Sequence, residues 1–232
     1  MSFTTVHVAE NKLAAKNLHH LVIDFGTSRI PAGYAVPGQF VQLSVDGGKP
    51  GFYAIASPVG DDRHLEFLIK KDGETSTAIC GLWPGARVES SAVMGKGFDV
   101  TSAAGRDLLL FATGSGIAPI RALIESGVAT GRDEVHLYYG CLDRSWMAYR
   151  ERFEAWRSLG VTVHTVVDNE SDDSDYVGPT GFVQDLYRVE PPRGVDLAKS
   201  AAVLCGLKGM VQDMTAILTD GGMPTDKVLL NF

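Results

Sequence analysis

The sequence predicts a two-domain protein, with an antiparallel β-barrel over residues 1–103 and a doubly wound α/β domain over residues 104–232. Two observations carry this prediction. The first hundred residues hold many short strand candidates separated by turns, whereas apolar strands alternate with helices from residue 107 onward. Small residues between positions 101 and 106 interrupt both patterns, and we place the domain boundary there.

The first half contains short strand candidates and one helix candidate. The strands are expected at residues 4–8, 19–24, 39–45, 52–57, 64–70 and 87–93, and the helix at residues 74–82. Turn residues such as Pro37-Gly38, Gly47-Gly48 and Pro84-Gly85 separate them. Many short strands with regular turn signals are typical of a small barrel.

The second half predicts five parallel strands joined by helices. The strands are expected at residues 108–112, 134–139, 161–167, 201–205 and 228–232, and the helices at residues 117–126, 145–159, 181–187 and 209–220. This alternation is typical of an open parallel sheet with helices on both faces. Residues 168–180 form a polar, acidic loop at the carboxyl end of the third strand, where such sheets bind ligands.

The stretch LLLFATGSGIAPIRALIE, residues 108–125, predicts a strand, a tight glycine turn and the start of a helix. Glycines let backbone amides approach a ligand closely, and a helix N-terminus favours negative charge. We therefore expect the pyrophosphate of a dinucleotide to bind at this turn. Because Ala118-Pro119 stands in the last places of the GxGxxG pattern, an ordinary strand-to-helix turn is the alternative.

Composition excludes several classes of function. A formal net charge of −7 and the lack of a basic stripe argue against binding to nucleic acid or to an anionic membrane. The three cysteines, Cys80, Cys141 and Cys205, are too far apart for a CxxC metal or iron–sulfur site. No apolar run approaches the ~20 residues of a membrane span, and the N-terminus starts directly with strand-like sequence, without a targeting peptide.

Several motifs, in order along the chain, resemble those of the ferredoxin–NADP reductase family. Residues 51–57, GFYAIAS, stand in place of the flavin motif RxYSxxS, and residues 73–76, GETS, match GxxS. They are followed by GSGIAP at residues 114–119, Tyr139-Gly140, CGLKGM at residues 205–210, and a terminal aromatic, Phe232. Within the family, phrases such as ATGSGIAPIRALIESG and MAYRERFEAW are similar to the plant plastid group called fruit proteins.

The resemblance implies a flavin-binding Greek-key barrel and a nucleotide-binding α/β domain that hold FAD and NAD(P)H between them. Its catalytic candidates are Tyr53, which would stack on the flavin, Cys205, beside the reacting nicotinamide carbon, and Phe232, over the opposite flavin face. It implies no metal ligands. The cofactor-binding candidates are Tyr53, Ala54, Ile55, Leu68, Ile69, Lys70, Gly73, Glu74, Thr75, Ser76, Thr113, Gly114, Ser115, Gly116, Ile117, Ala118, Asp143, Cys205, Gly206, Met210 and Phe232.

Each of these residues also has an ordinary structural interpretation. Tyr53 and Phe232 are then core aromatics of strands, and Cys205 is a small core residue. Ser76 is then the residue that satisfies the first amides of a helix. Met210 is interpreted as packing under either reading.

Two departures from the flavin motif weaken the expected site. The family's arginine neutralises the flavin pyrophosphate and its serine hydrogen-bonds the isoalloxazine edge, whereas this chain has Gly51 and Ala54 at those places. Losing a charge-assisted contact costs about 1.5–3 kcal/mol of binding free energy. We therefore expect flavin binding to be weakened, or shifted onto Lys70, Lys71 and the amides around Ser76, and Gly51→Arg to tighten it if the strand geometry is retained.

Acidic residues near the strand ends favour NAD(H) over NADP(H). A 2′-phosphate needs a basic residue after the second or third strand of such a sheet, whereas a carboxylate accepts from a ribose 2′-hydroxyl. Asp143 follows the second strand, and the third is followed by Asp168, Glu170, Asp172, Asp173 and Asp175. Arg144 keeps NADP(H) as the alternative.

Together these expectations indicate a flavin-dependent oxidoreductase that passes electrons between NAD(P)H and an external acceptor, an iron–sulfur protein or another. The alternative is a reductase-like binding or regulatory module that kept the fold and lost or weakened flavin binding. By resemblance the protein is placed in the chloroplast stroma, with the cytoplasm as the alternative. The external redox partner, the direction of electron flow and the oligomeric state do not follow from the sequence.

Overall fold

The computed structural model describes residues 2–168 and 176–231. The strands are β1 (Thr4–Ala15), β2 (Leu18–Asp24), β3 (Phe40–Ser44), β4 (Gly51–Ala54), β5 (His64–Lys70), β6 (Arg87–Ser90), β7 (Leu108–Thr113), β8 (Val135–Cys141), β9 (Val161–Val167), β10 (Ala201–Cys205) and β11 (Val228–Leu229). The helices are α1 (Glu74–Cys80), α2 (Ile117–Glu125), α3 (Phe153–Ser158), α4 (Val183–Val189) and α5 (Lys208–Asp220).

The first six strands form an antiparallel sheet in the order β4-β3-β6-β1-β2-β5. Ile55, directly after β4, makes an antiparallel bridge to Phe67 of β5, so the two edge strands meet and the sheet closes. Apolar side chains from alternate strand positions, among them Val41, Leu43 and Phe67, fill the interior. The barrel expected from the short strands and turns is confirmed.

The last five strands form a parallel sheet in the order β11-β10-β7-β8-β9. Central strand β7 is buried on both faces: Leu108 and Leu110 pack into one core, and Leu109 and Phe111 into the core on the other side. A continuous apolar run is what a strand covered by helices on both faces requires. The doubly wound α/β fold is confirmed.

The expected helix over residues 145–159 is wrong. A 3₁₀ turn at Arg144–Trp146 is followed by Tyr149 in the left-handed region, at φ +63°, and only Phe153–Ser158 is α-helical. The break has a tertiary cause, because the ring of Tyr149 is buried beside the Arg121 guanidinium, 5.0 Å from ring centroid to Cζ. Strand β1 is longer than expected, and the amide of Lys16 at its hairpin tip donates to the Ser145 carbonyl, 2.8 Å away, in the second domain.

The two domains share an apolar interface. The barrel residues Leu18, Ala56, Leu68 and Phe98 belong to the same buried cluster as Leu108 and Leu110 of the α/β domain. The barrel therefore packs against the parallel sheet as an extension of its core, and apolar burial of this kind favours a fixed arrangement of two domains.

A buried ion pair lies in this interface. Arg121 of α2 is 2% exposed, and its Nη1 lies 2.6 Å from Oε2 of Glu66 on β5 of the barrel. Its Nε donates to Oε2 of Glu125 at 3.0 Å, while Oε1 of Glu125 accepts from the Trp156 indole, also at 3.0 Å. His20 Nε2 lies 3.5 Å from the Glu66 carboxylate, and burial lowers the pKa of His20. One arginine thus connects the barrel, α2 and α3.

We expect Arg121→Met to lower the free energy of unfolding by about 1–3 kcal/mol, because the partly buried Glu66 carboxylate loses its ion pair with Arg121, whereas Glu125 keeps Arg152 at 3.1 Å. Arg157→Met is the matched control, since Arg157 is exposed and pairs at 3.5 Å with an exposed Glu154; its effect should stay within about 0.5 kcal/mol. Denaturant unfolding of both variants measures the difference. Equal stabilities for the two would contradict an important role for the Arg121 pair.

Candidate functional site

A cleft of about 1360 Å³ lies between the barrel and the α/β domain. Two stretches from each domain line most of it: residues 49–54 and 72–76 of the barrel, and residues 113–116 and 205–210 of the α/β domain. This volume exceeds the roughly 300–1,000 Å³ of an ordinary ligand pocket. The cleft has room for more than one ligand of ordinary size.

Two glycine turns at the carboxyl ends of β7 and β10 form the α/β wall of the cleft. A Cβ on Gly116 would collide with the main-chain carbonyl of Cys205, and Gly206 has φ +146°, where a Cβ would collide with Thr113. Thr113 Oγ1 accepts from the Leu207 amide at 2.7 Å, which joins the turns. Since α2 and α5 both begin here, the positive ends of two helix dipoles lie at this wall.

Cys205 lines the cleft at the end of β10 as a small, neutral side chain. Burial raises the pKa of its thiol to about 12, so the thiolate needed for nucleophilic chemistry is not formed near neutral pH. Met210, in the first turn of α5, reaches the same cleft and is 5% exposed. This part of the wall offers space and packing rather than charge.

The ring of Tyr53 lies directly over the α-carbon of Gly51. A Cβ built on Gly51 would approach Oη of Tyr53 to 2.6 Å and Cζ to 2.8 Å. Burial raises the pKa of the Tyr53 phenol to about 12, so the ring is uncharged. An arginine at position 51 would therefore have to displace the Tyr53 ring. An unchanged strand geometry is thus not a sufficient condition for Gly51→Arg to tighten flavin binding.

The turn before α1 uses the hydroxyl of Ser76 for its own backbone. Ser76 Oγ accepts from the Gly73 amide at 2.9 Å and from the Asp72 amide at 3.2 Å, and the residue is buried. Thr75 Oγ1 donates to the Lys49 carbonyl at 2.8 Å, which ties this turn to the chain entering β4. The capping interpretation of Ser76 thus matches its contacts, and the turn still lines the cleft.

The structure brings most of the candidate residues together in the cleft. Those that line it are Tyr53, Ala54, Leu68, Lys70, Gly73, Glu74, Thr75, Ser76, Thr113, Gly114, Ser115, Gly116, Ala118, Cys205, Gly206 and Met210.

Four described candidates do not line the cleft. The side chains of Ile55, Ile69 and Ile117 are in the apolar cores and at most 1% exposed. Asp143 accepts from the Ser145 amide at 2.7 Å, so it caps the 3₁₀ turn after β8. Lys71, considered for the phosphates, also lies outside the cleft. Phe232 lies outside the described residues.

Several lining residues were not anticipated from the sequence. Trp146, from the broken segment after β8, reaches the cleft, and its indole N–H has no hydrogen-bond partner among the described residues. Phe182 and Leu207 are exposed apolar side chains at the rim. The only sequence signal for the positions of these residues was the neighbouring glycine turns. Loops that follow neighbouring parallel strands meet at one edge of the sheet, so residues next to those turns are expected at the same edge.

The acidic residues after β9 are described only in part. Asp168 lines the cleft, and its amide donates to the Cys141 carbonyl at 2.9 Å. Residues 169–175, which carry the other carboxylates of the expected loop, lie outside the described residues.

Across residues 2–168 and 176–231, no helix is long and apolar enough to span a bilayer. Within the same ranges, no three histidine, cysteine or acidic side chains converge as metal ligands would.

Comparisons with known proteins agree on the type of fold. The family profile described as "Oxidoreductase NAD-binding domain" matches residues 110–216. The fruit protein pKIWI502 of Actinidia deliciosa is 32% identical over 233 residues, covering 94% of this chain and 73% of that protein. The chloroplastic ferredoxin–NADP reductase of Spinacia oleracea is 27% identical over 216 residues, covering 78% of this chain and 58% of that protein.

A solved structure shares the two-domain architecture. The ferredoxin NADP⁺ reductase of Neisseria gonorrhoeae, solved with bound FAD and NADP, superposes with a TM-score of 0.79 at 20% identity. The match covers 96% of this chain and 92% of that one.

We expect Gly116→Ala to destabilise the cleft wall, because the added methyl group meets main-chain atoms of Cys205 that have little freedom to move. Gly209→Ala is the matched control: it also lines the cleft, but a Cβ there meets nothing within 4 Å. Denaturant unfolding should show a loss of about 1–3 kcal/mol for Gly116→Ala and no loss for Gly209→Ala. Equal stabilities would mean that the two turns are not packed as described.

Proposed function

Since the chain belongs to the ferredoxin–NADP reductase-like family of oxidoreductases, we propose that it passes electrons between NAD(P)H and an external acceptor through FAD held in the interdomain cleft. The main support for this proposal is the set of residues that line the cleft. The barrel side presents the aromatic ring of Tyr53, and the α/β side presents two glycine turns at helix N-termini. Neither wall alone would hold two cofactors against each other.

The residues of the cleft fit both cofactors. The missing side chain at Gly114, where a Cβ would meet nothing within 4 Å, suits close approach of a pyrophosphate to backbone amides, and the two helix N-termini at this wall favour negative charge. On the barrel wall, the uncharged ring of Tyr53 offers a flat apolar face to a flavin. The volume of about 1360 Å³ supports binding of both molecules.

Hydride acceptance and the release of single electrons are the chemistry that FAD supplies when it is bound. In this proposal the protein's own residues bind and orient. Tyr53 fixes the plane of one ring system, and the small Cys205 leaves room for a second ring system to lie against it. The neutral Cys205 thiol adds no charge beside the reacting atoms. Holding reactants in contact in this way removes much of the entropic cost of their encounter.

The proposed electron acceptor is an iron–sulfur protein or another redox partner. Among the residues that the structure describes, no three metal-ligating side chains are grouped as a metal site would require. The chloroplastic relative from Spinacia oleracea supports a plastid location for the protein.

We further propose that NAD(H) is preferred over NADP(H). Asp168 lines the cleft at the end of β9, where a carboxylate accepts from a ribose 2′-hydroxyl and repels a 2′-phosphate.

The full chain should bind one FAD, and Tyr53→Leu should weaken this binding several-fold because an aromatic contact is worth about 0.5–1.5 kcal/mol beyond its buried area. Trp83→Leu is the control, since Trp83 is a 70% exposed aromatic of the barrel outside the cleft. Titration followed by flavin fluorescence gives the affinities. A chain that binds no FAD would instead favour a reductase-like binding module.

NADH should support faster turnover than NADPH with an artificial electron acceptor. Asp168→Ser should reduce the ratio of the two kcat/KM values on the order of tenfold, because it removes a negative charge that repels the 2′-phosphate of NADPH. The measurement is kcat/KM for both nucleotides. A clear NADPH preference in the unmodified chain would overturn the proposal and direct attention to Arg144, which follows β8.

A further inference from the structure

Three basic side chains are found among the described residues that line the cleft: Lys49, Lys70 and Lys208. Lys208 begins α5 on the α/β wall, so only Lys49 and Lys70 belong to the barrel wall. Lys70 Nζ lies 3.2 Å from the carboxylate of Asp72 and is already paired. For Lys49, the described residues include no carboxylate within ion-pair distance.

The backbone of Lys49 is fixed next to the turn that precedes α1. Its carbonyl accepts from Thr75 Oγ1 at 2.8 Å, which brings the start of residues 49–54 to the same end of the cleft as residues 72–76. The lysine itself is exposed. Its ammonium group is therefore available to a ligand in this end of the cleft.

The balance of charges at this end of the cleft makes anion binding depend on Lys49. The lining side chains are two lysines, Lys49 and Lys70, and two carboxylates, Asp72 and Glu74, so their formal charges cancel. Without Lys49 the balance becomes negative, and a diphosphate would be repelled.

Strand β4 itself cannot supply the missing positive charge. The space above Gly51 is filled by the Tyr53 side chain, whose Oη lies 2.6 Å and whose Cζ lies 2.8 Å from the place of a Cβ. A basic side chain at position 51 cannot be accommodated while Tyr53 stays in its present position. The cleft-lining lysines of the barrel are Lys49, in the chain entering β4, and Lys70, at the end of β5.

We propose that Lys49 is the residue that neutralises the FAD diphosphate in this protein, in place of an arginine on β4; this assignment rests on the FAD binding proposed above. Lys70 contributes less because Asp72 already neutralises it. Lys49 is thus a cofactor-binding residue whose contact is electrostatic, and it should discriminate flavins by their phosphates rather than by their rings.

The test is titration of the flavin-free full chain with FAD and with riboflavin, which has the same ring system and no phosphate. Lys49→Ala should weaken FAD binding roughly tenfold, as expected for loss of a charge-assisted contact, and leave riboflavin binding unchanged. Lys49→Arg should retain FAD affinity. Lys96→Ala is the matched control, since Lys96 is an exposed lysine of the first domain outside the cleft.

Three results would overturn the assignment, and they can be told apart. Equal FAD affinity in Lys49→Ala and Lys96→Ala would show that Lys49 does not contact the cofactor. Equal losses for FAD and riboflavin in Lys49→Ala would show that the diphosphate is not what Lys49 recognises. Absence of FAD binding in the unmodified chain would remove the proposed function itself and the assignment with it.

Discussion

The buried ion pair between Arg121 and Glu66 sets the position of the two cleft walls relative to each other. Arg121 lies on α2, and the first turn of the same helix follows the glycine turn that lines the cleft. Glu66 lies on β5, the strand whose end carries Lys70 into the cleft. A salt bridge of this kind adds little net stability, but breaking it is costly. Its contribution is therefore geometric, because it joins the two domains within an interface that is largely apolar.

Between the two domains, the shape of the cleft depends largely on glycines and on small side chains. Gly116 and Gly206 let two main-chain turns meet, and Gly51 leaves the space that the Tyr53 ring occupies. Cys205 adds a neutral thiol between them. Because carboxylates such as Asp72, Glu74 and Asp168 also line the cleft, an anionic ligand is favoured only near Lys49, Lys70 and Lys208.

Much of the fold follows from local pattern. The strands at residues 64–70, 161–167 and 201–205 are found with the predicted bounds, because their apolar positions reflect burial within a sheet. The helix predicted through Tyr149 failed because its left-handed backbone accompanies a buried contact with Arg121, distant in sequence. Lys49 and Trp146 were missed for the same reason: the contacts that place them in the cleft join segments far apart in the chain.

If both cofactors meet in the one cleft between the two domains, NADH should reduce the bound flavin directly. The decisive measurement is anaerobic mixing of the FAD-loaded full chain with NADH, followed at the visible absorbance band of the flavin. We expect rapid loss of that band in a single turnover, much faster than for free FAD with the same NADH. Binding of both molecules with the flavin left oxidised, or reduced no faster than free FAD, would contradict this expectation.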